Sequence, residues 1–389
     1  MFPKTTSGKF LIILAASLAL VGPLFLTWTV HRPRIVTAAD DDKQLIRIQW
    51  RRAASEPICL TMTQDGKFIG SVDKSGVVRF FDGSGKLLWQ KRVEGATDML
   101  IARNGQSVLV YSKLNPVYTE VSFFRGNGFQ LWRQRVDGCI WAGAVSPDGN
   151  YAAVTTGSRF VYAYSPDPNH PKFRRWRIKG IGRCVAFTPD NQSIIIGTWQ
   201  KSGLVSYSRT GDRKWSTYHN SEKQYDLKIS ADGKMVMGII PGRYLSPGVE
   251  LGLWTSTGKP LWQFALSGYE GTALISPASE FVALSYASII SHKSKEIIER
   301  KVAVYKADGE LAWEKGGLFF GPRLVALSPK GSSVIVWDGE KSLYNMDRKG
   351  RISSRLELGG KVRKTLSTED GRKILLYCGD GTMYLLNAG

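Results

Sequence analysis

The chain has 389 residues, enough for two or three ordinary domains or for one large repeat domain. With 43% hydrophobic and 22% charged residues it has the composition of a folded protein, and 41 Gly and 12 Trp with few long apolar helical patterns point to an all-β chain with many turns. The formal charge of +20 calls for an anionic neighbour, which is nucleic acid, a lipid headgroup or a wall polymer depending on the compartment.

Residues 10–30, FLIILAASLALVGPLFLTWTV, form a run of 21 residues without a charge. At about 1.5 Å per residue, such a helix crosses a bilayer. Lys4 and Lys9 precede it, and Trp28 lies where an interfacial aromatic sits. The competing reading is a cleaved signal peptide, because VTAAD (36–40) offers small residues at cleavage spacing. The apolar run is long for that purpose, and the small residues lie well beyond it. There is no Leu-x-x-Cys lipobox. Arg32 and Arg34 place positive charge on the far side too, while Asp40 to Asp42 carry little weight in setting orientation. The expected organisation is a cytoplasmic N-terminus (1–9), a transmembrane anchor (10–30), a linker (31–44) and an exported domain (45–389). That is a single-pass cell-membrane protein, with secretion after signal cleavage as the alternative.

Internal repeats dominate the rest of the chain. A strand, a turn of the Ser-Pro-Asp-Gly type and a second apolar strand appear as CLTMTQDGKFIGSV (59–72), MLIARNGQSVLVY (99–111) and AGAVSPDGNYAAVT (142–155). The pattern returns from residues 184, 227, 273, 325 and 364, which makes eight units. In most units an alternating strand and a Gly turn follow, with a Trp four residues after the Gly. The pairs are Gly85 and Trp89, Gly128 and Trp132, Gly211 and Trp215, Gly258 and Trp262, Gly309 and Trp313. Trp176 takes the same place after a longer turn, and the seventh unit has Ser354 where Trp is expected. Each unit thus predicts four short strands, an inner A, then B, C and an outer D. A four-stranded sheet repeated radially is a β-propeller blade, with each Trp wedged between neighbouring blades.

The eighth unit supplies strands A, B and C and no D. The one orphan D strand is LIRIQWRRAA (45–54), with Trp50 in the Trp position. The expected fold is therefore an eight-bladed propeller whose N-terminal strand closes the last blade and removes two open edges.

The Gly-x-x-x-Trp spacing and the blade count resemble the pyrroloquinoline-quinone-like propeller family, and FFDGSGKLLW (80–89) is similar to its tryptophan-docking repeat. The SPDG turns also resemble WD-repeat propellers, which are mostly interaction platforms. The resemblance covers residues 45–389 and implies the propeller fold. The family contains both quinone-dependent dehydrogenases and non-catalytic envelope scaffolds. The dehydrogenases use adjacent cysteines and a Ca²⁺ site of Glu, Asn and Asp oxygens, and neither set is recognisable in this sequence. The expectation is a non-catalytic scaffold without a cofactor or metal, whose alternative is a quinone-dependent or carbohydrate-active propeller enzyme.

Other chemistry is not encoded in recognisable form. His31, His170, His219 and His292 have no ligand spacing, and there is no nucleophile elbow or P-loop. Asp65, Asp148, Asp190, Asp232 and Asp370 recur at the tips of A–B turns, where Asp-Gly chemistry is structural. Cys59, Cys139, Cys184 and Cys378 fall in predicted strands and read as buried free thiols, with a Cys59–Cys378 bridge as the alternative.

Two surfaces remain as partner sites. The D–A and B–C loops open on one face of a propeller, and the long ones are 112–117, 241–248, 287–298 and 315–322. They bring Tyr244, Leu245, Ile289, Ile290, Leu318, Phe319 and Phe320 to one sector, either as an exposed protein-binding patch or folded back to plug the central channel or cap the blade ends. Along the outer strands, Arg51, Arg52, Lys91, Arg92, Arg133, Arg135, Arg174, Arg175 and Arg177 form a basic sector. It faces anionic lipid or wall polymer, or else it serves only to keep edge strands from pairing with other chains. The expected partners are other envelope proteins and the bilayer, with no nucleic acid.

Overall fold

The computed structural model describes residues 35–37, 46–113, 115–116, 119–165, 167, 174–199, 203–217, 226–240, 248–266, 269–292, 295–318 and 321–388. Strands A to D of blade 1 are Pro57–Met62, Phe68–Asp73, Val77–Asp82 and Leu87–Arg92. Blade 2 is Asp98–Ile101, Ser107–Tyr111, Glu120–Arg125 and Gln130–Arg135. Blade 3 is Ile140–Val145, Ala152–Thr156, Phe160–Tyr164 and Arg174–Arg177. Blade 4 is Ile181–Phe187, Ser193–Trp199, Gly203–Ser208 and Arg213–Ser216. Blade 5 is Asp226–Ile229, Met235–Ile240, Val249–Thr255 and Pro260–Leu266. Blade 6 is Tyr269–Ile275, Phe281–His292, Lys295–Lys306 and Leu311–Lys315. Blade 7 is Arg323–Leu327, Ser333–Trp337, Ser342–Asp347 and Ile352–Glu357. Blade 8 is Val362–Ser367, Lys373–Cys378, Thr382–Asn387 and, as its D strand, Arg47–Ala53.

The A strands neighbour one another around a closed ring, with that of blade 8 meeting that of blade 1. Closure is by the N-terminal strand, as the sequence predicts. Arg47–Ala53 pairs antiparallel with Thr382–Asn387, from Arg47 opposite Asn387 to Ala53 opposite Thr382. The fold is all-β and eight-bladed. No helix among the described residues is long and apolar enough to cross a membrane, and the expected anchor (10–30) lies outside the described residues.

Local chemistry explains the regularity. In five A–B turns a Ser or Thr hydroxyl donates to the aspartate two residues on, at 2.5–2.8 Å, as Thr63 does to Asp65 and Ser146 to Asp148. The same carboxylate accepts the backbone N–H two residues further, at 2.9–3.1 Å. The recurring aspartates are therefore turn formers. Alternation then buries both faces of strands B and C, because each blade is covered by a neighbour on either side. The core is accordingly eight clusters, one per blade interface. Between blades 1 and 2, for example, Val72, Val78, Phe80, Met99, Val108, Val110 and Phe124 pack together.

Three expectations are corrected. Residues 35–37, within the stretch read as linker, form a strand on the outer edge of blade 7, with Ile35, Val36 and Thr37 opposite Leu356, Arg355 and Ser354. Segment 287–298 is not a loop, because strands B and C of blade 6 are each twelve residues long and pair out to His292 opposite Lys295. Cys139 precedes strand A of blade 3 instead of lying in it. All four cysteines are free, so Cys59 and Cys378 are not bridged; Cys378 is buried and the others half-buried.

Candidate functional site

The D-strand tryptophans hold the ring together. Six of the seven, Trp50, Trp89, Trp176, Trp215, Trp262 and Trp313, pack on the positive-φ glycine in the C–D turn of the next blade. An added Cβ on Gly128 (φ 85°) would sit 3.0 Å from the Trp89 ring, and one on Gly258 (φ 86°) 2.6 Å from that of Trp215. Only glycine satisfies both the left-handed turn and the close approach. The indole N–H then donates to a carbonyl of that turn: Trp50 to Gly83 (3.0 Å), Trp89 to Gly126 (2.8 Å), Trp132 to Ser165 (3.0 Å), Trp215 to Ser256 (2.9 Å) and Trp262 to Ala307 (2.8 Å). Trp176 and Trp313 occupy the same place, against Gly211 and Gly350, yet their buried Nε1 atoms have no acceptor among the described residues. Stacking completes the contact, with Trp132 between Phe123 (5.2 Å) and Tyr164 (4.8 Å). These seven tryptophans are architecture.

The basic rim is partly compensated from within. Arg133 and Arg135 both pair with Glu120, the latter at 3.1 Å. Arg175 pairs with Asp137 at 3.0 Å and stacks on Phe160 at 3.8 Å. Arg52 donates to the Gly85 carbonyl and lies 5.6 Å from the Trp50 ring centre, and Lys91 is 6.0 Å from that of Phe124. Arg174 is exposed in the same row. Arg51, Arg92 and Arg177 are also exposed and make no ion pair with a described residue. The sector carries net positive potential, but fewer unpaired charges than its arginine count implies.

On the D–A and B–C face, the twelve-residue strands of blade 6 reach past the rest of the blade. Strand A pairs no further than Ala287 and strand D no further than Val302, so among the described residues 288–292 and 295–299 pair only with each other. Ile289 and Ile290 lie in this ribbon, opposite Ile298 and Ile297. Five residue pairs at about 3.3 Å each give a projection of about 16 Å with two open edges. Leu318 is 7% exposed and packs with Val302, Val304 and Val336 between blades 6 and 7, so it belongs to the core and not to an exposed patch. Tyr244, Leu245, Phe319 and Phe320 lie outside the described residues.

Three of the four thiols are shifted upward. Burial pushes Cys59 up to about 11, and Cys184 and Cys378 up to about 12. Among the described residues no group of three His, Cys, Asp or Glu side chains is placed to hold a metal ion.

Against known proteins, residues 119–298 match the family model described as outer membrane protein assembly factor BamB. No curated protein matches the sequence. Among solved structures, BamB from Moraxella catarrhalis is 15% identical, with 88% of this chain and 98% of that one covered and a TM-score of 0.61. The C-terminal WD40 domain of Sif2 is 13% identical, covering 89% and 99% with a TM-score of 0.63. The computationally designed Ika8 protein is 14% identical, covering 88% and 98% with a TM-score of 0.61. At these identities the structures share the fold. Together with the family match they support a repeat of the pyrroloquinoline-quinone-like propeller kind.

Proposed function

We propose that the protein is a membrane-anchored, non-catalytic propeller that serves as a protein-interaction scaffold in the bacterial cell envelope. The observation that carries this reading is the blade 6 ribbon, where strands B and C continue past Ala287 and Arg300 with neither edge paired to another described strand. Open edges are costly to leave in solution and useful for adding a strand from another protein. The family match, which runs to residue 298, is to an assembly factor and agrees with the reading. In this reading the uncharged run 10–30 supplies the tether.

Photo-crosslinking in cells from position 298, compared with position 92 on the rim, tests this. Crosslinks to envelope proteins at 298, lost when 288–299 is replaced by a two-residue turn while the domain stays folded, are expected. Crosslinks that survive the replacement would show that the scaffold surface is elsewhere. Protease accessibility of residues 45–389 in intact cells tests the orientation, and digestion of that domain only after lysis would place it in the cytoplasm.

A further inference from the structure

We propose that a cleft between blades 6 and 7, at the base of the ribbon, is a binding site for an organic carboxylate held by Arg300 and Arg323. The cleft has a volume of about 230 Å³, which holds a small organic anion. Arg300 is in strand C of blade 6, in register alternation with Val302 and Val304. Those two valines are fully buried against blade 7, so Arg300 continues their row at its open end. Its guanidinium stem runs along bare backbone, where a Cβ added to Gly321 would lie 3.7 Å from Nε. Arg323 begins strand A of blade 7, and its guanidinium lies 5.4 Å from the centre of the Trp337 ring.

Neither guanidinium meets a carboxylate among the described residues. Two acidic groups of the same blade are engaged elsewhere: Glu299 and Glu314 both pair with Lys301, at 3.1 and 3.2 Å, and Glu314 also accepts the Tyr286 hydroxyl at 2.9 Å. The Thr272 hydroxyl in the cleft is 2.5 Å from that of Ser285 and accepts the Leu324 N–H at 3.3 Å. Two like charges facing one cleft repel unless an anion sits between them. Two planar forks match the two oxygens of a carboxylate, and Ala287 and Pro322 offer carbon surface to its apolar body.

The test is ligand-observed NMR titration of the full chain in detergent with butyrate and, separately, inorganic phosphate, at low salt. Saturable butyrate binding is expected, weakened at least tenfold in R300Q/R323Q and unchanged in R92Q/R177Q, which removes equal charge from the rim. Gly321→Val keeps every charge and fills the cleft, and it is expected to abolish binding with melting temperature unchanged, so a folding failure of the arginine pair would not decide the matter. Equal losses in both double variants, or no saturable binding, would overturn the site. Phosphate binding more tightly than butyrate would overturn the carboxylate assignment.

Discussion

Replacing Trp89 and Trp313 by Phe in separate variants isolates the indole hydrogen bond. Both side chains are half-buried D-strand residues packed on a glycine of the next blade. Loss of ring carbons therefore costs a similar amount at each site, about 1–2 kcal/mol. The polar consequence differs in sign. At Trp89 the change removes a 2.8 Å bond and leaves the Gly126 carbonyl without its donor, an added loss of about 1 kcal/mol. At Trp313 it removes a buried N–H that has no acceptor, and relieving that penalty returns about 1 kcal/mol or more. The variants should thus differ by about 2 kcal/mol, with Trp89→Phe less stable and Trp313→Phe close to wild type. Urea unfolding followed by far-UV circular dichroism reads the difference as a shift in midpoint at constant slope. Equal destabilisation of both, within about 0.5 kcal/mol, would refute the role assigned to the indole–carbonyl bond.

Acid stability should depend on Asp73, which ends strand B of blade 1. Burial works to raise its carboxyl, but the Ser75 hydroxyl (2.6 Å), Arg79 (2.7 Å) and backbone N–H groups outweigh it and hold the group at about 2. A folded value below the unfolded one of about 3.9 contributes stability above that pH, lost as pH falls toward 2, and worth about 2.5 kcal/mol. Asp73→Asn should flatten the acid limb of stability against pH by that amount, and identical limbs would contradict the assignment. The raised thiols of Cys59, Cys184 and Cys378 should resist iodoacetamide in the folded protein at pH 8 and react on unfolding. Rapid modification of any of the three before unfolding, seen by peptide mass mapping, would contradict their placement.

The blade count and the closing strand were legible because each rests on a short pattern repeated along the chain. Gly-x-x-x-Trp marks a turn and a docking residue within five positions, and LIRIQWRRAA carries the Trp without the preceding turn. What escaped depends on distant partners. Segment ASIISHKSKEII fits a loop or a hairpin equally well until Ile289 and Ile290 find Ile298 and Ile297. Residues 35–37 are a strand only because Ile352–Glu357 lies beside them. Leu318 in its glycine-rich loop fits an exposed patch or a folded-back cap equally well, and it is buried because blade 7 packs over it. Arg300 and Arg323 meet only through the packing of two blades, so neither residue signals the cleft on its own.

The single departure from the Trp pattern follows from the way the ring closes. Every docked indole lands on the C–D turn of the next blade, and in blade 8 strands C and D are Thr382–Asn387 and Arg47–Ala53, which no turn joins. A Trp on strand D of blade 7 would find no positive-φ C–D turn glycine among the described residues to pack on. Ser354 stands in its register position, opposite Asn345, and is 6% exposed. Where the turn would lie, the two chain arms fill the interface instead: Ile46, just before the closing strand, and Ala388, just after strand C, pack with Leu356 and Leu358. The outer edge of the same strand differs as well. Strands D of blades 1, 2 and 3 expose Lys91 and Arg92, Arg133 and Arg135, and Arg174 and Arg177, charges that discourage edge pairing. Strand D of blade 7 has one arginine, Arg355, which is paired with Glu357, and residues 35–37 cover it. The missing Trp follows from closing the ring with an N-terminal strand, and the fifth strand covers the edge that lacks the cations of its neighbours.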